Sequence, residues 1–228
     1  MSSENDTSTT SIAILLYDRL TALDAIGPYE VLSRLPGANV TFVATEPGPV
    51  HTDNGMLALL AERSIADVPR PDIVLVPGGP GEVSARAGGS ALEWLRSAHE
   101  NSVWTTSVCT GSLILASAGL LAGKRATSHW LALEKLGELG AEPVSERVVF
   151  DGKIVTSAGV SAGIDMALAL VGRIAGEQVA KAIQLGIEYD PQPPFDAGSP
   201  RTAPPAVVEL LRDSSRFVRG EDAVATRT

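Results

Sequence analysis

The stretch VWTTSVCTGSLILASAGLL, residues 103–121, contains the only cysteine of the chain, Cys109. Its first part, VWTTSV (103–108), is β-branched and apolar, which predicts a buried strand. The later part, GSLILASAGLL (111–121), predicts a helix that begins almost at once. Small residues between the two permit a tight strand-to-helix turn that exposes one side chain at the top of a sheet. We therefore predict that Cys109 occupies a nucleophile elbow.

Outward from this corner, short apolar strands alternate with helical segments. The predicted strands are residues 11–17, 39–45, 72–81 up to its glycine turn and 103–108, with a hairpin at 146–159. The predicted helices are residues 21–35, 90–100, 111–121, 129–139, 162–176, 177–189 and 206–218. This alternation predicts an α/β fold in which a mainly parallel sheet is covered by helices on both faces. Ligand sites in such sheets lie at the carboxyl ends of the strands.

Local signals refine these elements. The pair Gly27-Pro28 predicts a break near the start of the first helix, and Ser90 predicts a serine cap on the helix at 90–100. Residues 56–64 are ambiguous between strand and helix. Residues 190–205 are rich in Pro, Gly and Asp, and they predict irregular structure.

The composition of the 228-residue chain indicates one domain. Residues 1–10 predict a disordered tail and residues 219–228 a polar C-terminal tail, so that residues 11–218 form the domain. The net charge of -9 and the absence of basic runs argue against a nucleic-acid partner. The first ten residues lack the pattern of a signal peptide, and no apolar run reaches the roughly 18 residues of a membrane span. We expect a cytoplasmic protein without a membrane partner.

The corner at Cys109 predicts a reactive thiol. A cysteine at a helix N-terminus lies near unpaired N–H groups, so we expect its pKa to fall below the usual value of about 8.5. At a second corner, Pro77-Gly78-Gly79 follows a strand, and its backbone N–H groups would be free to stabilise charge on a substrate. The alternatives without a function are a buried, inert cysteine at the first corner and an ordinary glycine turn at the second.

Two further side chains are candidates for proton transfer. Asp24 lies in an apolar stretch just past the first strand, where it could be a helix N-cap or a carboxyl of raised pKa that carries protons. His129 follows Cys109 by about 20 residues; it could orient or deprotonate the thiol, or be structural beside Trp130. The histidines lack metal-ligand spacing, and one cysteine cannot make a thiolate zinc site, so we predict no metal.

The motifs together resemble the PfpI-like proteins of the class I glutamine amidotransferase-like superfamily, and within them the isonitrile hydratases. The stretches that carry the resemblance are LDAIGPYEVL (23–32), EPGPV (46–50), PGG (77–79), TTSVCTGSLILASAGLLAGKRATSHW (105–130), SERVVFDGKIVTSAGVSAGID (145–165) and IEYDPQPPFDAGSPRTAP (187–204). The resemblance extends over about residues 12–210, which is nearly all of the predicted domain. The resemblance implies a flavodoxin-like three-layer α/β/α sandwich and a homodimer.

The resemblance also implies a cofactor-free hydration of a small neutral isonitrile. By position, Cys109 would be the nucleophile and Asp24 the acid/base carboxyl. Thr110 would act through its N–H group and hydroxyl, and Gly78, Gly79 and His129 are expected at the substrate or oxyanion site. The thiolate would attack the isonitrile carbon to give a thioimidate, and Asp24 would activate water to release an N-substituted formamide.

Several alternatives remain open. A PfpI-type peptidase usually has a histidine directly after the nucleophile, where this chain has Thr110. An aldehyde enzyme of the deglycase or glyoxalase type would typically have a glutamate in place of Asp24. The sensor domain of AraC-type regulators shares the fold but needs a DNA-binding segment, and too few residues follow the last predicted domain helix to form one. A redox sensor needs little more than a thiol of low pKa.

Overall fold

The computed structural model describes residues 9–219. The predicted tails, residues 1–10 and 219–228, lie almost wholly outside the described residues, so the disorder of the N-terminal one stays a prediction. Thr10 already belongs to the first strand.

A seven-stranded sheet forms the centre of the described chain. The strands are β1 Thr10–Leu15, β2 Ala38–Ala44, β3 Gly48–His51, β4 Ala58–Ala61, β5 Arg63–Ser64, β6 Ile73–Val76, β7 Trp104–Val108, β8 Arg125–Ala126, β9 Glu142–Pro143, β10 Val148–Asp151 and β11 Ile154–Ser157. The order in the sheet is β10-β11-β7-β6-β1-β2-β5. Its neighbours pair in parallel except for β10, which is antiparallel to β11 at one edge. Strands β3 with β4, and β8 with β9, form two small separate pairs.

Helices cover both faces of this sheet. They are α1 Ala22–Leu32, α2 Glu82–Ala85, α3 Ser90–Asn101, α4 Gly111–Ser117, α5 Leu133–Glu138, α6 Ala162–Ala175, α7 Glu177–Gly186, α8 Pro205–Ser214 and α9 Arg216–Arg219. Side chains of α3, α4 and α5 form a hydrophobic cluster on one face, and side chains of α1 and α6 form another on the opposite face. The predicted α/β fold with a mainly parallel sheet is therefore confirmed.

The register of the sheet brings the functional corners together. Leu75 of β6 pairs with Ile14 of β1, and Val76 pairs with Ser107 of β7. Val108, the last residue of β7, pairs with Ser157, the last residue of β11. The loops that leave β1, β6, β7 and β11 therefore start from one edge of the sheet, where parallel sheets place their sites.

Helix α1 continues through Gly27 and Pro28, so the predicted break at these residues is wrong. The missing side chain at Gly27 leaves room for Ile164 of α6, since an added Cβ would lie 3.1 Å from Cγ1 of Ile164. A Cβ at Gly163 of α6 would lie 3.0 Å from Cγ of Pro28. The two helices cross closely at these small residues, and this tertiary packing outweighs the lost hydrogen bond of the proline.

Other helix ends also differ from the sequence expectations. Ser90 is the first residue of α3 rather than its cap; the N-cap is Gly89, at φ +94°, and no side chain caps the helix. Helix α4 ends at Ser117 because Gly119 adopts a left-handed φ of +82°, which terminates helices. The helix predicted at 206–218 is divided at Ser215, where ψ is 135°.

Of the remaining predictions, some are confirmed and others are not. The ambiguous residues 56–64 contain strands β4 and β5, and strand β3 was not predicted. The hairpin is confirmed as β10 and β11, with Gly152 at φ +61° in the predicted turn. No helix within residues 9–219 combines the length and apolar character needed to cross a bilayer. The cytoplasmic location stays a prediction.

Gly111, the first residue of α4, tests how tightly the elbow packs on the sheet. A Cβ there would lie 2.1 Å from the carbonyl oxygen of Val76. Gly111→Ala should therefore lower the free energy of unfolding by about 3 kcal/mol or more. Gly172→Ala is the control, because its Cβ would meet its nearest neighbour, the Cβ of Ala180, at 3.8 Å, an ordinary contact. Urea denaturation measures both, and equal stabilities would contradict the tight packing.

Candidate active site

Cys109 lies in a left-handed turn between β7 and α4. Its φ of +55° is a conformation that non-glycine residues adopt at a cost of about 1–3 kcal/mol. The Cys109 N–H lies 3.1 Å from the carbonyl of Ser157 and 3.0 Å from that of Ala158. Its carbonyl accepts bonds from the hydroxyls of Ser112 and Ser128, at 3.1 and 3.0 Å. The predicted elbow is present, and hydrogen bonds from three segments hold its strained backbone.

The glycine loop after β6 plays a different part from the predicted one. The Gly78 N–H donates to Oδ2 of Asp24 at 2.9 Å, and the Gly79 N–H donates to the hydroxyl oxygen of Thr110 at 3.0 Å. Neither group is free to bind a developing charge, so the expectation of free glycine N–H groups is wrong. The acceptors come from other strand ends, which the loop sequence alone does not reveal. The loop orients the reactive side chains instead of the substrate.

Gly78 must lack a side chain for these groups to meet. A Cβ at this position would lie 2.5 Å from the nitrogen of Thr110 and 2.8 Å from Oδ2 of Asp24. At Gly79 the backbone has φ +139°, and a Cβ would lie 2.5 Å from the nitrogen of Thr21. Close backbone approach therefore requires both glycines, and the conformation of Gly79 requires that residue in addition.

Asp24 is fully buried at the third position of α1, so it is not the N-cap, which is Thr21. Burial raises the pKa of its carboxyl to about 7, although the Gly78 N–H and the Cys109 thiol favour the ionised form. Its Oδ1 atom has no hydrogen-bond partner of normal geometry among the described residues. Asp24 and the Cys109 thiol affect each other's ionisation, so they form one coupled pair, and the charge of Asp53 also raises the pKa of Asp24.

The pKa of Cys109 moves in the opposite direction to the expected one. Burial, and after it the charge of Asp24, raise the pKa of the thiol to about 12. The N–H groups of Val160 and Thr110 favour the thiolate, but they do not outweigh burial. At neutral pH the sulfur is therefore a thiol beside a carboxyl that is divided between its two forms. The helix N-terminus could be predicted from the sequence, whereas the burial could not.

His129 is not paired with Cys109. Its Nδ1 accepts a bond from the Leu131 N–H at 3.3 Å, and its ring lies near Trp130. Burial lowers the pKa of His129, as does the charge of Arg216. The structure thus shows no hydrogen bond through which this residue would deprotonate the thiol. Its ring instead lines a cavity beside the elbow.

Two cavities flank the elbow. One, of about 390 Å³, includes His129, Trp130, Leu133, Gly159 and Val160 in its lining. The other, of about 630 Å³, lies beyond the glycine loop. Its lining includes Tyr17, His51, Pro80, Gly81 and Arg216. The smaller cavity adjoins the elbow, because Ser128 and Ala158 in its lining hydrogen-bond the backbone of Cys109.

Sequence reasoning missed several residues around the pair. The Tyr17 hydroxyl donates to the carbonyl of Pro77 at 2.8 Å, and burial and then the charge of Asp24 raise its pKa. Its place at the end of a predicted strand was a usable signal. The N–H group of Val160 and the side chains of Glu82 and Arg216 carry no local signal, because only the fold brings them to this edge. Within residues 9–219, no group of three or more His, Cys, Asp or Glu could hold a metal ion.

Comparison with known proteins places the chain among related sequences. The model of the DJ-1/PfpI family matches residues 10–173. The chain is 45% identical over 201 residues to the isonitrile hydratase of Pseudomonas putida, covering 88% of each. It is 34% identical over 140 residues to the HTH-type transcriptional regulator CdhR of Pseudomonas aeruginosa, and there it covers 41% of the regulator. A crystal structure of a THiJ/PfpI family protein from Pseudomonas syringae superposes with a TM-score of 0.90 at 35% identity, covering 100% of this chain and 96% of that one.

The thiol of Cys109 reports directly on its carboxyl neighbour. Asp24→Asn removes the negative charge that opposes ionisation and keeps an acceptor for the Gly78 N–H, so the pKa of Cys109 should fall. Because Cys109 is the only cysteine, thiolate absorbance near 240 nm against pH measures this pKa without interference from another thiol. Asp190→Asn, an exposed control, should leave it unchanged. An unaltered thiolate titration in Asp24→Asn would show that the two groups are not coupled.

Proposed function

The chain belongs to the DJ-1/PfpI family, and from that premise we propose that it is an isonitrile hydratase, a lyase that converts an isonitrile and water to an N-substituted formamide. The observation that carries the proposal is the buried pair of Cys109 and Asp24 at the carboxyl ends of two strands. The similarity to the Pseudomonas putida isonitrile hydratase, over most of both chains, supports the same substrate class.

The first step joins the sulfur to the substrate. The ionised Asp24 accepts the proton of the Cys109 thiol and delivers it to the terminal carbon of R–N≡C. The sulfur attacks that carbon as one electron pair of the triple bond moves to nitrogen. The product is the thioimidate R–N=CH–S–Cys, which contains every atom of the thiol and the isonitrile. Asp24 returns to its ionised form.

The second step consumes water. Asp24 accepts a proton from a water molecule whose oxygen attacks the thioimidate carbon, and it passes that proton to the nitrogen to give R–NH–CH(OH)–S–Cys, so that the carboxyl is ionised again. The carbon–sulfur bond then breaks as the hydroxyl becomes a carbonyl, and its proton returns to the sulfur through Asp24. The products are R–NH–CHO and the thiol. A carboxyl of pKa about 7 suits these transfers in both directions.

The smaller cavity suits the R group of a neutral substrate. Its walls include the apolar side chains of Trp130, Leu133 and Val160, and its volume of about 390 Å³ is within the range of small-molecule sites. We place His129 at the substrate because it lines this cavity, and we place the Thr110 hydroxyl there because Thr110 directly follows the nucleophile. The Gly78 and Gly79 N–H groups position Asp24 and Thr110.

The rival functions are less well supported by the site. A redox sensor relies on an accessible thiol of low pKa, whereas Cys109 is buried and its pKa is raised. An aldehyde enzyme would use the same thiol, and formamide production distinguishes it from the proposed reaction. The regulators that match share less of their length with this chain than the hydratase does.

We also propose that the protein is a homodimer, as its resemblance to this family implied. Helix α8 has no buried residue in the described chain, although its apolar residues follow a helical spacing. The exposed apolar side chains on α7, the loop at 190–204 and α8 are Leu185, Phe195, Val207, Leu210 and Leu211. A second copy of the chain would cover them.

The central prediction concerns formamide production from simple isonitriles such as cyclohexyl isonitrile. Cys109→Ala should reduce turnover by at least about 10³-fold because it removes the nucleophile. Asp24→Asn should reduce kcat by about 10²–10⁴-fold because it removes the proton carrier. Gas chromatography of the formamide measures both, and Asp190→Asn should retain wild-type activity. Substantial formamide from Cys109→Ala would refute the mechanism.

The pH profile tests the role of Asp24 further. The carboxyl must be ionised to accept the thiol proton, and that form exists above its pKa. The wild-type kcat/KM should therefore fall as the pH decreases through about 7. The residual activity of Asp24→Asn should lack this limb. A wild-type profile without a limb near this pH would assign the proton transfer to another group.

The dimer is tested by sedimentation velocity of the wild-type chain. The expected mass is about twice the 23.7 kDa of one chain. Leu210→Glu places a charge on the proposed contact, and it should shift the protein towards the monomer. Met56→Glu is a matched control on the exposed turn between β3 and β4. A monomeric wild-type protein would contradict the proposal.

A further inference from the structure

Arg216, the first residue of α9, reaches back to the glycine loop. Its Nη1 donates to the carbonyl of Pro80 at 3.0 Å, and its Nη2 donates to the carbonyl of Gly79 at 3.4 Å. Nη2 also lies 3.0 Å from Oε1 of Glu82. One guanidinium therefore contacts three residues of the segment that follows β6, namely Gly79, Pro80 and Glu82. Pro80 and Arg216 are 136 positions apart in the sequence.

This contact is buried. The side chain of Glu82 is 0% exposed, and that of Arg216 is 14% exposed. Glu82 also binds Nε of Arg86 at 2.7 Å, so its two oxygens are held by two arginines. Buried charges are retained where each has partners, and the planar fork of arginine can hold a carboxylate and carbonyls together. The arrangement fixes where the loop can lie.

The contact belongs to a short anchored segment. Helix α8 has no buried residue, whereas Ser215 directly after it is buried. Phe217 packs against the hydrophobic cluster on the face of α3 and α4, and the guanidinium of Arg216 lies 4.6 Å from its ring centroid. Residues 215–217 therefore dock on the site as a unit, which we call the C-terminal anchor.

We propose that Arg216 is a positioning residue for the reaction at Cys109, which holds the glycine loop so that its N–H groups orient Asp24 and Thr110. The proposal rests on the proposed hydratase function. The carbonyls that Arg216 holds belong to Gly79 and Pro80. The N–H groups of the same loop, on Gly78 and Gly79, are those that bind Asp24 and Thr110. Displacement of the loop would therefore move the proton carrier relative to the sulfur.

The field of Arg216 supports the same placement. Its positive charge lowers the pKa of His129, on the lining of the smaller cavity, and acts in the same direction on Tyr17, on the lining of the larger one. The guanidinium lies on the lining of the larger cavity, and its charge also reaches His129 on the lining of the smaller one. Loss of this charge would raise the pKa of both His129 and Tyr17.

The experiment compares formamide kinetics of wild type, Arg216→Met and Arg216→Lys. Arg216→Met keeps the length of the stem but loses the fork; kcat should fall by about 10–100-fold while KM changes little, as expected when catalytic groups are misplaced. Arg216→Lys should be intermediate, because an ammonium can hold one of the partners. Arg34→Met, which breaks the exposed pair of Arg34 and Glu30, should match wild type. An Arg216→Met enzyme with wild-type kcat would overturn the proposal.

A double variant separates positioning from the burial of an unbalanced charge. In Arg216→Met/Glu82→Gln the buried carboxylate is gone, so any harm from leaving it short of a partner is removed. If Arg216 acts by holding the carbonyls of Gly79 and Pro80, kcat stays low in the double variant. Recovery of wild-type kcat would show that Arg216 merely balances Glu82, and the proposal would be wrong.

Amide hydrogen exchange decides the matter independently of turnover. In Arg216→Met the N–H groups of Gly78 and Gly79 should exchange faster, while those of β1 and β7 keep their wild-type rates. Unchanged exchange at both glycines would refute the positioning role. If wild type produces no formamide, the hydratase proposal fails, and this measurement still shows whether Arg216 holds the loop.

Discussion

The whole site depends on the absence of a side chain at Gly78. The N–H of this residue holds Asp24, and its bare Cα allows the backbone of Thr110 to approach. Asp24 comes from the chain after β1, Gly78 from the loop after β6, and Cys109 and Thr110 from the turn after β7. Three adjacent parallel strands deliver these groups to one edge, so the sheet register and one absent side chain bring the sulfur and the carboxyl together.

Burial then decides the protonation states of the site. Solvent is excluded from both members of the pair, which raises the pKa of Asp24 to about 7 and that of Cys109 to about 12. The sulfur is consequently unreactive at rest, and it gains nucleophilicity only as its proton leaves for the carboxyl. Such a thiol differs from the exposed low-pKa cysteines of redox enzymes, because its activation is coupled to the presence of a group that can receive the proton.

Local sequence patterns predicted the sheet and the elbow, because short apolar strands, a small-residue turn and a helix are encoded by neighbouring residues. Tertiary properties escaped prediction. The pKa direction of Cys109 depends on the burial that the whole fold imposes, and the partners of the Gly78 and Gly79 N–H groups come from other loops. Helix α1 continues through Pro28 because α6 packs against it, which no reading of α1 alone reveals. Arg216 lies in an ordinary charged stretch, and only its docking distinguishes it.

The docking of Arg216 on the glycine loop has a consequence for synthesis. Ribosomes add about 5–20 residues per second, so the 136 positions between Pro80 and Arg216 take about 7–27 s to translate. Strands β1 and β6 are already made when this interval begins, and β7 and β11 are made during it, whereas Glu82 still lacks one of its two arginines. The nascent chain can therefore assemble its sheet well before the glycine loop acquires its last contact, and completion of the site is a late event in the life of each molecule.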